Sequence, residues 1–101
     1  MDELKNNILL VLTEIEQISD HLYQQKFNKG YDGLNSTLGK IMDITDRLFA
    51  LSDAGLLLFD GQRLIDNLTG AMNAMEEKDS VLLADILIYE IAGQLKELPL
   101  N

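Results

Sequence analysis

From the start of the chain, apolar residues recur at Leu4, Ile8, Val11, Ile15, Ile18 and Leu22, in steps of four and three that place all six on one stripe of an α-helix. Asn6, Asn7, Thr13, Glu14, Gln17 and Asp20 occupy the rest of the circumference. This is the most sharply defined helix in the chain. Its pattern dissolves at Phe27-Asn28-Lys29-Gly30-Tyr31-Asp32-Gly33, where the two glycines predict a turn. A second helix follows, with Leu34, Leu38, Ile41 and Leu48 on its central line. Met42, Ile44, Phe49 and Leu51 widen its apolar face to about half the circumference, which predicts deep burial.

Ser52-Asp53-Ala54-Gly55 reads as the next break, and Leu56 to Phe59 is an apolar run without a clear period. Helical spacing resumes through Leu57, Gly61, Leu64, Leu68, Ala71 and Met75 and ends at Glu76-Glu77-Lys78, so a third helix starts between Gly55 and Gly61. Asp79 is placed to cap a fourth helix, because its short side chain can accept from the free amides of the next turn, and Pro99 stops that helix. No segment alternates as a strand would. Each amphipathic face needs a partner in order to leave water, so the expected fold is all-α, a four-helix antiparallel bundle made of two helical hairpins, with residues 1–101 as one domain. The expected core contains Ile8, Val11, Ile15, Ile18, Leu38, Ile41, Leu48, Leu64, Leu68, Leu87, Ile91 and Leu95.

Composition narrows the function more than it identifies it. Hydrophobic residues are 47% of the 101-residue chain and charged residues 25%, a globular balance rather than a disordered one. Without cysteine there is no disulfide, thiolate metal site or thiol nucleophile. Seventeen acidic against eight basic side chains leave a net charge of −9 with no basic cluster, which argues against nucleic acid and anionic membranes as partners. The apolar runs are too short to span a bilayer, and Met1-Asp2-Glu3 does not open like a secretory signal; the expected location is cytoplasmic.

Candidate chemistry is sparse. His21, the single histidine, raises the possibility of a phosphotransfer domain, but such domains place a lysine three residues later, and here Lys26 comes at five. A carboxylate-bridged di-iron bundle needs two Glu-x-x-His pairs, which one histidine cannot supply. An EF-hand read from Asn28 through Gly30 and Asp32 reaches Gly39 at its twelfth position, where a bidentate acid should close the loop. Ser19, Ser36, Ser52 and Ser80 lie in no nucleophile motif. We therefore expect no catalytic, cofactor or metal site.

The fourth helix offers more apolar surface than one face holds. Leu83, Leu87, Ile91 and Leu95 form the core side, with Ala84, Ile88 and Leu98 beside them, while Leu82, Ile86, Tyr89 and Gly93 make a second stripe on another side. Asp85 and Glu90 border that stripe. A helix apolar on two sides is either central in its own fold, here by covering Tyr23, Leu9 and Leu12, or is buried against another chain. Leu82, Asp85, Ile86, Tyr89, Glu90 and Gly93 are the expected interaction surface, for a homodimer or for an amphipathic helix of a partner.

The stretch from Lys78 to Ile91, with its Asp79, apolar patch, Ala84-Asp85, Leu87 and Tyr89-Glu90-Ile91, resembles the C-terminal part of small acidic helical proteins of Firmicutes, some encoded near motility genes. That resemblance implies a bacterial cytoplasmic accessory protein. In size and acidity the chain is also similar to flagellar and secretion export chaperones, helical bundles that hold an amphipathic helix of their client.

Overall fold

The structure is a computed structural model that describes residues 2–100. The chain runs through α1 (Asp2–Tyr23), a short α2 (Phe27–Asp32), α3 (Leu34–Asp53) and α4 (Gly61–Glu76). It closes with an unbroken helical rod made of α5 (Ser80–Asp85), a π-helical segment (Ile86–Ile91) and α6 (Ala92–Glu97). No strand occurs among the described residues. Contacts between helices fix their directions. Glu3 meets Arg47 and Glu14 meets Lys40, so α1 and α3 are antiparallel. Tyr23 reaches Asp85 at the start of the last rod, while Gln94 and Glu97 at its end reach Asp60 and Arg63 at the start of α4. The result is an all-α antiparallel four-helix bundle of 42 × 23 × 19 Å.

The core follows the apolar stripes. All twelve expected core residues are buried, and Val11, Ile15, Ile41, Leu48, Leu64, Leu83, Leu87 and Ile91 are sealed from solvent. The helix starts also follow sequence signals: Asp79 accepts from the Leu82 amide and Asp60 from the Arg63 amide, each at 3.1 Å, which satisfies one otherwise free amide in each first turn.

The expected turn at residues 27–33 is instead the single-turn helix α2. Gly30 has a packing role there, since a Cβ at that position would lie 2.7 Å from Leu22 Cδ2, and its absence lets α2 press onto the end of α1. Gly33 keeps a right-handed backbone. The reversal out of α1 is made at Gln25, at φ 60°.

Three helices end alike. After α1, α3 and α4 the residue two past the last helical one is left-handed: Gln25, Gly55 and Lys78, with φ of 60°, 75° and 56°. In each case the next amide reaches back five residues (Lys26 to His21, Leu56 to Leu51, Asp79 to Ala74), closing a Schellman motif that satisfies a free carbonyl. Beyond Gly55 the unperiodic apolar run is an irregular linker. Leu57 and Phe59 turn inward, Phe59 meeting Phe49 edge-on at 5.3 Å, whereas Leu56 and Leu58 face solvent.

The last rod departs from regular α-helix because of the spacing of its core residues. Leu83, Leu87, Ile91 and Leu95 are separated by four residues each time, and all four are buried. In a regular helix three successive steps of four would drift by about 120° around the axis. Within the π segment each hydrogen bond spans one residue more, as where the Ala92 amide reaches Leu87, so each residue turns the chain less and the line is held on the core.

Candidate interaction surface

The two flanks of α1 differ in character. Asn7, Leu10 and Glu14 lie toward α3, and this flank is polar. Thr37 donates to Glu14 Oε1 at 2.6 Å and Lys40 to Oε2 at 2.7 Å, while Arg47 pairs with Glu3 at 3.3 Å. Burial alone would raise the Glu14 carboxyl, but the hydrogen bonds from Lys40 and Thr37 and the Lys40 charge outweigh it and hold Glu14 below the usual carboxylate range.

The other flank carries Lys5, Leu9, Leu12, Glu16 and Tyr23 in helical register and faces the last rod. At one end of this seam the Tyr23 hydroxyl donates to Asp85 Oδ1. Burial pushes the Tyr23 phenol up, and the bond to Asp85 and the nearby charges of Asp85 and Tyr89 push it further, to about 12. At the other end Lys5, Leu9 and Leu12 share a crevice with Leu95, Lys96 and Leu98. Each end carries an exposed apolar side chain, Leu9 at 60% beside the crevice and Tyr89 at 70% near Tyr23, with exposed Glu16 between them on α1.

The residues expected to form one stripe on the fourth helix are distributed over two sides. Ile86 is partly buried and turns toward α4, its Cδ1 3.5 Å from where a Gly70 Cβ would stand, and Leu82 is 44% exposed. Tyr89 projects outward near Tyr23, Glu90 is exposed, and nothing lies within 4 Å of a Cβ built at Gly93. Asp85 is half-buried and engaged by Tyr23. The last rod covers part of α1, but Leu9 stays exposed on the seam. The contribution of α1 to this surface was visible in sequence only as Leu9, Leu12 and Tyr23 lying off the main stripe.

The other candidates gain no support from geometry. His21 is half-buried and takes part in no ion pair among the described residues. Asn28, Gly30 and Asp32 sit in α2, so no open calcium loop exists there. Among the described residues no three His, Cys, Asp or Glu side chains gather as metal ligands. An apolar crevice at the end of the bundle, walled by Phe27, Tyr31 and Met75 with Lys78 and Ser80 at its edge, has its hydroxyls of Tyr31 and Ser80 paired at 3.2 Å.

A family profile described as a domain of unknown function, DUF8042, matches residues 1–100. The chain belongs to that family. For this DUF8042 chain no curated protein and no solved structure gives a match. No helix among its described residues is long and apolar enough to cross a membrane.

Proposed function

We propose that this DUF8042 domain is a non-catalytic protein–protein interaction module of the bacterial cytoplasm, and that it docks its partner on the seam between α1 and the last rod. The observation that carries this reading is the cluster of exposed Tyr89, Tyr23 and Val81 around Asp85 on a −9 chain, with exposed Leu9 at the far end of the same seam. Large apolar side chains clustered on an otherwise charged surface mark docking sites, and aromatic residues supply much of the contact energy at such sites. The ion-paired flank toward α3 is a poorer candidate, because docking there would strip water from charges that already have partners.

A photoreactive phenylalanine analogue placed at Tyr89 and, as a control, at exposed Met42 on α3 tests the reading in cells that make the protein natively. Irradiation is expected to give a discrete protein adduct from position 89 and none from position 42. Equal adducts from both, or none from either, would refute it.

A further inference from the structure

We propose that the crevice between the start of α1 and the end of the last rod binds a medium-chain fatty acid, with the alkyl chain among leucines and the carboxylate on Lys5. The site lies at the opposite end of the seam from the Tyr89 cluster, and it does not depend on a protein partner docking there. Its walls are aliphatic: Leu9 and Leu12 come from α1, and Leu98 and Leu100 from the segment that follows α6. Leu12, Leu98 and Leu100 are half-buried and Leu9 is exposed, so this lining is apolar surface still in contact with water. A hydrocarbon tail laid along it removes apolar surface from water on both sides.

Charge decides the head group. Lys5 lines the α1 wall and Lys96 the wall of the rod, and no acid lines the crevice. The chain carries 17 acidic side chains, yet neither lysine makes an ion pair among the described residues. Lys5 is half-buried and Lys96 exposed, so Lys5 is the stronger partner for an anion, because an ion pair gains more where less water screens it. The acids beside them in sequence do not cancel this. Glu3 is paired with Arg47 and Glu97 with Arg63, and exposed Asp2, a turn before Lys5, stands outside the lining. The −9 of the whole chain opposes any anion, but charges beyond about 8 Å are screened at physiological salt, and a carboxylate brings only one negative charge to the two lysines.

Size sets the chain length. The crevice has a volume of about 260 Å³, which at about 30 Å³ for each water-sized group holds roughly eight or nine carbons. The alkyl part of octanoate fits with its carboxylate at the mouth, whereas dodecanoate overhangs. Titration of the isotope-labelled full chain, followed by nuclear magnetic resonance at neutral pH and physiological salt, tests this. Octanoate should shift the amides of residues 5–12 and 95–100 saturably, with a Kd of about 1 mM. It should bind about fivefold to fifteenfold tighter than hexanoate, since each buried methylene is worth about twofold to fourfold, while dodecanoate should stay within about threefold of decanoate. Octanol, with the same tail and no charge, should bind at least about fivefold more weakly. Lys5→Met keeps the length of the stem and should bring octanoate down to the level of octanol, a loss of about fivefold to tenfold, with helical circular dichroism unchanged; Lys96→Met should cost only about twofold. The proposal is overturned by the absence of a saturable shift below about 20 mM, by shifts centred away from the crevice, or by octanol or octylammonium binding as tightly as octanoate. An affinity that climbs evenly to dodecanoate, or a Lys5→Met variant that binds octanoate as the wild type does, overturns it equally.

Discussion

The two left-handed residues that are not glycine predict an unusual gain in stability. Gln25 and Lys78 occupy the same Schellman position as Gly55, yet both carry a Cβ that crowds the following carbonyl at φ of 60° and 56°. A left-handed backbone costs an L-residue about 1 to 2 kcal/mol, and glycine returns roughly 0.5 to 1 kcal/mol of that through its freer unfolded state. Gln25→Gly or Lys78→Gly should thus stabilise the fold by about 0.5 to 1 kcal/mol each. Both side chains are exposed and neither makes a side-chain hydrogen bond or ion pair among the described residues, so little is lost in exchange. For a domain of this length the gain corresponds to a rise in melting midpoint of about 2 to 8 °C, readable by circular dichroism. Gly55→Ala should move the midpoint downward by a comparable amount. A fall in midpoint for both glycine variants, with Gly55→Ala harmless, would show that the strain does not lie where the backbone places it.

Two further outcomes test the core and the seam. Ile15 is sealed at the centre of the α1 stripe, so Ile15→Ala should lower stability in urea denaturation by about 2 to 5 kcal/mol, and a much smaller loss would mean that α1 packs loosely. Tyr23 should deprotonate near 12 in an ultraviolet alkaline titration, against an ordinary value of 10.0, and Tyr23→Phe should remove that late step. Since its folded-state value is raised, the associated stability is complete below about pH 10 and disappears as pH climbs toward 12; a wild type and Tyr23→Phe with the same alkaline unfolding profile would contradict the Asp85 pairing.

What could be read in advance was the part that repeats. The alternation of four and three from Leu4 to Leu22 identifies α1 because only a helix brings those positions together, and Asp79 marks a helix start because its function is local. Residues 27–33 were misleading because glycine has two uses, and whether Gly30 bends the chain or admits Leu22 depends on a contact that sequence neighbours do not show. The linker was opaque for a similar reason: whether Leu57 or Leu58 turns inward is decided by Phe49 and the start of α4. Glu14 read as a solvated residue because nothing near it in sequence announces Thr37 and Lys40. At the candidate surface Tyr89 and Asp85 could be singled out from the last helix, but the α1 half of the seam depends on which flank of α1 the last rod covers.

The last rod connects these observations to the surface. In α1 the core line advances by four and three in alternation, whereas Leu83, Leu87, Ile91 and Leu95 advance by four alone, one residue more over the same three steps. That extra residue has to be absorbed, and sealing all four side chains in the core favours absorbing it as a π turn over releasing Ile91 or Leu95 to water, which would cost about 1.5 to 3 kcal/mol for each. Everything beyond the turn is rotated by the change. Ile86 at its first position faces Gly70 of α4, and Tyr89 further along it stands out over the α1 seam near Tyr23, so residues that an ideal helix would align are placed on different sides. The exposed aromatic residue on the seam is therefore a consequence of how the core is packed. An insertion or deletion between Asp85 and Ile91 would alter the surface even if every residue facing outward were kept.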